Sequence, residues 1–208
     1  MADLLSYALT NLSDVKESLG IASSDTSRDN LIIRKINQAT LYIESYCSLS
    51  RDHHFALTTY TNEEYDGTNN NTVVLKMRPV TAITSFQRRD STLSDGSFDD
   101  VESELYYSDL SAGVLELVVR ANSGWNRYRV SYSAGYSTIP ADLAETCVTL
   151  ACFYVENSAS GTAVKKKQEG QRSIEYFQSS SGDGSVVDQL GLDDVLSRYK
   201  QYNLSDSL

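Results

Sequence analysis

The stretch "VSYSAGYSTIPADL", residues 130–143, changes character in its middle. Up to Ala134 it alternates: Tyr128, Val130 and Tyr132 fall on one face of an extended chain, and Arg129, Ser131 and Ser133 fall on the other. Gly135 tolerates a positive φ and ends a strand at little cost. Pro140 suits the first turn of a helix, where its missing N–H is not needed. A sheet hands the chain to a helix here, and the elements on either side of that handover set the fold.

Downstream, from Pro140 to about residue 157, Leu143, Cys147, Leu150, Ala151 and Tyr154 keep helical time, with Asp142 and Glu145 where the helix dipole favours acid. A second long helix is predicted over 28–47, where Ile32, Ile36, Ala39, Ile43 and Tyr46 recur at intervals of 4, 3, 4 and 3. A short helix, "SDVKESLG", precedes it, with Ser13 as N-cap and Gly20 as terminator. Between the long helices the period is two, with strand candidates at 55–61, 72–77, 82–88, 104–107, 114–119 and 127–132. "DGTNNN" and "SDGSFDD" read as turns, and such short connections favour antiparallel pairing. Pro79 belongs at a strand border, because it cannot donate to a ladder.

Past Asn157 the composition turns to "SASGTAVKKKQEGQRS", which reads as an extended arm. Within it, residues 173–178 ("SIEYFQ") form a strand candidate with no obvious local partner. Val187, Leu190, Val195, Leu196 and Tyr199 suggest a short terminal helix weakened by Gly191. The predicted fold class is therefore α+β: a small bundle of two long helices plus short ones, an inserted antiparallel β-module, and an extended C-terminal arm. The expected divisions are 1–54 (N-terminal helices), 55–134 (β-module), 135–157 (long helix packing on the first set) and 158–208 (arm).

The 208 residues suffice for one sizeable core with an appendage. No apolar run approaches the roughly 20 residues needed to cross a bilayer, so no membrane association is expected. The start, "MADLLSYALTNLSD", lacks a basic region and predicts no secretory signal. With 18 Lys and Arg against 28 Asp and Glu, the net charge is −10, the wrong sign for gripping nucleic acid. The acid is unevenly placed: Asp90, Asp95, Asp99, Asp100, Glu102, Glu104, Asp109 and Glu116 follow one another with no intervening base.

Signs of chemistry are sparse. Neither G-x-G-x-x-G, G-x-x-x-x-G-K-[ST] nor G-x-S-x-G occurs. Cys47, Cys147 and Cys152 lack metal-ligand spacing and read as buried thiols, and His53 and His54 are adjacent rather than spaced along a helix face. The acidic group Asp95, Asp99, Asp100 and Glu102 lacks calcium-loop spacing and reads as solvated. Lys165, Lys166 and Lys167 are too short a run for a nucleic-acid patch, and Arg127 and Arg129 suit edge protection or pairing with the acidic loop. No enzyme, cofactor or metal is expected.

Taken in order, a Y-x-D-G-type turn (Tyr65, Asp66, Gly67), a strand ending at Arg78-Pro79, a strand closing on Y-x-A-G-Y (Tyr132, Ala134, Gly135, Tyr136) and I-P-x-D-L (Ile139, Pro140, Asp142, Leu143) opening a long helix resemble the head-tail connector (adaptor) proteins of tailed bacteriophages. The likeness runs over most of residues 12–157; the arm is similar in character only, and "DSTLSDGSFDDVESE" looks like an inserted loop. The resemblance implies a structural virion protein assembled in the host cytoplasm and placed at the neck. There it forms a ring, commonly a dodecamer, under the portal protein and next to a stopper or tail-terminator protein, with DNA passing through the lumen unbound. On that reading Asp95, Asp99, Asp100 and Glu102 line the lumen or a loop, where negative potential repels phosphate. Ser173, Ile174, Glu175, Tyr176, Phe177 and Gln178 add a strand to a portal sheet, and Gly135, Tyr136 and Pro140 form a structural joint. Two alternatives stand beside it. One is a stopper or tail-completion neck protein; the other, suggested by fourteen tyrosines and acidic loops, is a carbohydrate- or surface-binding β-module of a tail appendage.

Overall fold

A computed structural model describes residues 2–67, 71–89, 97–118, 124–159, 166–169, 172–175 and 185–201. The chain is α+β and divides into two compact units, Met1–Cys47 with Pro140–Lys200 and Ser48–Ile139 with Gln201–Leu208.

The first unit is helical. Helix α2 (Asp29–Tyr46) buries Ile32, Ile36, Ala39 and Ile43 along one stripe, and α3 (Ala141–Ala159) buries Leu143, Cys147, Leu150 and Ala151. The two helices pack on each other, with Thr40 Oγ1 lying 3.7 Å from Cys147 Sγ. Each large aliphatic chain so buried contributes about 1.5–3 kcal/mol, so packing rather than propensity holds these helices. Helix α1 (Leu12–Ser18) is capped by Asn11, not by Ser13 as expected: the Asn11 side-chain oxygen accepts from Asp14 N at 3.0 Å. A cap must reach an N–H two or three residues on, and Ser13 already lies inside the first turn. Gly20, at φ +66°, does end the helix.

Lys16 is the unusual member of α1, because its side chain is only 5 % exposed. Its ammonium donates to Ser23 O (3.1 Å), Asp25 O (2.6 Å) and Asp29 Oδ1 (2.9 Å), using all three protons to tie the α1–α2 connection to the start of α2. Lys16→Met keeps the volume but strands two carbonyls and a carboxylate, so we expect a loss of about 3 kcal/mol in urea unfolding. A loss below about 1 kcal/mol would show that water replaces the ammonium at no cost.

The terminal segment departs from the expected arm. Residues 185–201 form α4 (Val186–Gln189), α5 (Asp193–Leu196) and a 3-10 turn (Ser197–Tyr199), with Val187 and Leu196 fully buried. The single terminal helix expected there is two, because Gly191 takes φ +67° and breaks it. Tyr46 donates to Asp193, Cys47 Sγ to Leu196 O, and Tyr199 to Asp142 Oδ1 at 2.5 Å, so the segment through Lys200 is part of the helical unit. Spacer composition around it concealed a few well-placed apolar residues. Earlier in the arm, β8 (Lys166–Glu169) pairs antiparallel with β9 (Arg172–Glu175) as a two-stranded sheet, which gives the strand candidate a local partner after all.

The second unit holds two antiparallel sheets. One has the order β1 (Thr58–Gly67), β7 (Gly124–Ala134), β3 (Val80–Arg89), β4 (Phe98–Asp100); the other has β2 (Thr72–Val74), β6 (Val114–Leu117), β5 (Tyr106–Asp109). Strand β7 is central, and its Tyr128, Val130, Tyr132 and Ala134 point into the core, as the alternation predicts. Phe86 of β3 meets Tyr106 of β5 edge-to-face at 5.1 Å and Tyr128 at 5.6 Å, joining the sheets. Pro79 sits just outside β3 after a cis bond from Arg78. Several strand bounds differ from expectation. β1 runs on to Gly67 through a bulge, β2 stops at Val74, and β5 starts at Tyr106 after a 3-10 turn (Ser103–Leu105). Part of the predicted "SDGSFDD" turn is strand β4, whose pairing to β3 is helped by Gln87 Nε2 donating to Asp100 Oδ1 at 2.9 Å.

Candidate functional site

The densest group of titratable side chains is in the sheet unit, around Glu63. Register slips between Tyr60 and Glu63, where Asn62 adopts φ +56° and its N–H takes Ser131 Oγ at 3.0 Å. The bulge turns Glu63 inward, so that Tyr60, Glu63 and Tyr65 share the core side although their spacing is not that of plain alternation. Tyr65 and Tyr132 donate to Glu63 Oε2 at 2.6 and 2.7 Å, His53 Nε2 lies 2.9 Å from Oε1, and Lys76 Nζ lies 3.3 Å from the same oxygen. His53 also stacks on Tyr60 at 4.8 Å, and Tyr60 accepts from His54 N through its hydroxyl.

Burial alone would raise the Glu63 carboxyl, but hydrogen bonds from His53, Tyr65 and Tyr132 outweigh it and hold the group down at about 2. The Tyr65 and Tyr132 phenols move the other way. Burial comes first for both, followed for Tyr65 by the Tyr132 phenol and then the Glu63 carboxylate and for Tyr132 by that carboxylate, so both stay protonated donors. Ser50 Oγ reaches His53 Nδ1, giving a hydroxyl–imidazole–carboxylate chain, the order of a nucleophile relay. The Ser50 contact, however, closes its own turn, in which His53 N also donates to Ser50 O at 2.9 Å. These contacts pin residues 50–54 to the sheet. Sequence reading ended the strand at Thr61 and missed this network; the spacing Tyr60-x-x-Glu63-x-Tyr65 around an Asn that tolerates positive φ is the signal that marks it.

The residues singled out earlier are dispersed. Asp99 and Asp100 lie on β4, and with Glu102, Arg88, Leu105 and Tyr128 they line a cavity of roughly 220 Å³; Asp95 lies outside the described residues. Ser173, Ile174 and Glu175 end β9, while Tyr176, Phe177 and Gln178 lie outside the described residues. Gly135 has φ +102°, with its N–H on Pro79 O at 2.9 Å. Tyr136 bridges to Ala56 and exchanges hydrogen bonds with Phe55 O (2.7 Å) and Leu57 N (3.0 Å). Pro140 precedes α3 and accepts from Ala144 N at 2.9 Å. The Cys47 and Cys147 thiols are pushed up to about 12 by burial, the opposite of an activated nucleophile. Among the described residues no group of His, Cys, Asp and Glu is placed to hold a metal ion, and no helix is long and apolar enough to cross a membrane.

The terminal segment makes a prediction of its own. Deleting residues 185–208 removes Val187 and Leu196 from the helical unit and should cost about 3–5 kcal/mol. Urea unfolding of the shortened chain checks this, and an unchanged midpoint would refute the docking.

A helical unit, two antiparallel sheets in the second unit and a buried carboxylate network within it make this an α+β protein. A family model for head completion proteins matches residues 8–174. The chain belongs to the head completion protein family. It shares its fold with a chain from the neck of an empty gene transfer agent (GTA) particle computed with C6 symmetry: TM-score 0.55, 13% identity, 98% of this chain and 97% of that one covered. A chain from the neck of the native GTA particle computed with C12 symmetry gives TM-score 0.53 at 14% identity, with 98% and 97% covered. One from the virion of the native GTA particle gives 0.55 at 14%, with 97% and 94% covered. No curated protein matches the chain.

Proposed function

We propose that the chain is a structural neck protein of a tailed-phage-type virion, a head-tail connector that forms a ring, a dodecamer, between portal and stopper or tail-terminator and gives DNA a passage. The observation that carries this is the head completion family match over residues 8–174, joined to a fold shared nearly end to end with GTA neck chains whose symmetry is cyclic. Closed cyclic symmetry requires one copy's surface to meet a different surface on the next. A net charge of −10 suits a conduit that must let phosphate slide past, with Asp95, Asp99, Asp100 and Glu102 as the lumen or loop acid. In this reading α2 and α3 pack side by side around the ring, Gly135, Tyr136 and Pro140 form a structural joint, and the segment Ser173, Ile174, Glu175, Tyr176, Phe177 and Gln178 adds a strand to a portal sheet. Native mass spectrometry of the purified protein, alone and mixed with its portal, tests this. We expect a closed ring that binds portal. A chain that stays monomeric with portal present overturns the proposal, and a ring that binds only the tail side makes it a stopper instead.

A further inference from the structure

The three-stranded sheet ends in β5, an edge strand that carries an unusual surface. Tyr107 is 71 % exposed, Val118 52 % and Leu105 40 %. Val118 N donates to Leu105 O at 2.9 Å, so these two residues stand opposite each other, and Tyr107 pairs with Glu116 one step on. All three apolar side chains therefore share the outer face of one strand pair. Leu105 also lines the cavity walled by Asp99, Asp100 and Glu102. Glu104 and Glu116 are exposed beside it. The surface is thus an apolar strip along β5, which is an edge strand among the described residues, with carboxylates at its rim; an edge of this kind is a template for another strand.

The chain also holds a strand pair that needs a partner. β8 and β9 form a two-stranded sheet of four residues a side, paired only with each other among the described residues. Two-stranded sheets are marginal in water unless a third strand or a helix supports them. The sequence of β8 opens with Lys166 and Lys167, next to Lys165, the longest run of cations in an acidic chain. From Ala159, where α3 ends, to Lys166 the chain spans at most about 25 Å.

We propose that β8 of one copy adds to β5 of the next, extending the three-stranded sheet across the boundary between protomers, the cationic sequence of Lys165, Lys166 and Lys167 matching the acidic sequence around β5 that includes Glu104 and Glu116. The proposal rests on the ring reading above. It assigns that ring's contact to the β8 edge and leaves the opposite, β9, edge for the portal. Backbone pairing supplies the affinity, and the cation–carboxylate match fixes which edge is chosen.

The test mixes two proteins, Ser108→Cys and Gln168→Cys, each in a Cys152→Ser background, and treats the mixture with a short bis-maleimide cross-linker. Cross-linked dimers containing one of each are expected in the mixture and in neither protein alone. Rings without the cross-link overturn the β8–β5 pairing while the ring reading stands; absence of rings overturns both. In parallel, Lys166→Glu with Lys167→Glu should raise the concentration for half-assembly roughly tenfold or more, and adding Glu104→Lys with Glu116→Lys should restore it. An unchanged half-assembly concentration, or no rescue, overturns the pairing.

Discussion

Replacing Gly135 by valine is expected to cost about 3–5 kcal/mol, enough to consume much of the stability of a typical domain. Two effects add. At φ +102° any L side chain is strained, which accounts for about 1–2 kcal/mol. A Cβ built there would also stand 2.7 Å from the carbonyl oxygens of both Phe55 and Ala56. These are backbone atoms, and neither can retreat freely. Phe55 O accepts from Tyr136 N at 2.7 Å, Leu57 N donates to Tyr136 O at 3.0 Å, and Gly135 N is held by Pro79 O at 2.9 Å. Room for Cβ therefore has to come from breaking main-chain hydrogen bonds, a cost of the overpacking kind. Gly20 is the internal control. Its φ is +66°, but a Cβ there meets nothing within 4 Å, so Gly20→Ala should lose only about 1 kcal/mol. Urea unfolding of both variants, followed by circular dichroism, separates conformational strain from collision. Equal losses at the two sites would show that the close approach at Gly135 relaxes freely.

The handover at Gly135 was legible in the sequence because one residue type, glycine, answers a backbone demand, and because β7 and α3 each bury a single face. Ile32, Ile36, Ala39 and Ile43 announced α2 for the same reason: burial on one side imposes a period. What stayed hidden depends on contacts that periodicity does not encode. The Asn62 bulge shifts Glu63 from the outer face to the core, and no rule of alternation anticipates a one-residue slip. Nothing in the sequence sets Lys16 apart from an ordinary helix cation; only the return of residues 23–29 past its ammonium makes it a clamp. The helical character expected of the terminal segment is present, but sequence reading places it in the arm because its two deep anchors, Val187 and Leu196, are too few and too interrupted to show that it docks. The candidate site was less legible than the fold, since the Glu63 network draws its members from the 50–54 turn, β1, the β2–β3 connection and β7.

Acid should loosen the protein through Glu63, and the direction follows from its partners. The carboxyl sits at about 2 in the fold against 4.5 when unfolded, held down by His53, Tyr65 and Tyr132 in spite of burial. Above pH 4.5 the group is ionised in both states, and its stabilising contribution is complete. As the pH falls from there toward 2 the unfolded chain takes up a proton that the folded chain refuses, and the contribution drains away. A depression of this size corresponds to at most about 3 kcal/mol, and since the side chain is 15 % exposed, screening trims it. Glu63→Gln removes the titration. It also leaves Lys76 without its counter-charge and takes the carboxylate from the Tyr65, Tyr132 and His53 contacts, so at neutral pH we expect it to cost about 3 kcal/mol. The decisive quantity is the difference between the two proteins: the stability gap between wild type and Glu63→Gln should be widest above pH 4.5 and narrow steadily toward pH 2. Urea unfolding at half-unit steps of pH measures it. A gap that stays constant through that window would mean that the carboxylate is not held ionised by its neighbours, and that the bulge at Asn62 places Glu63 for packing alone.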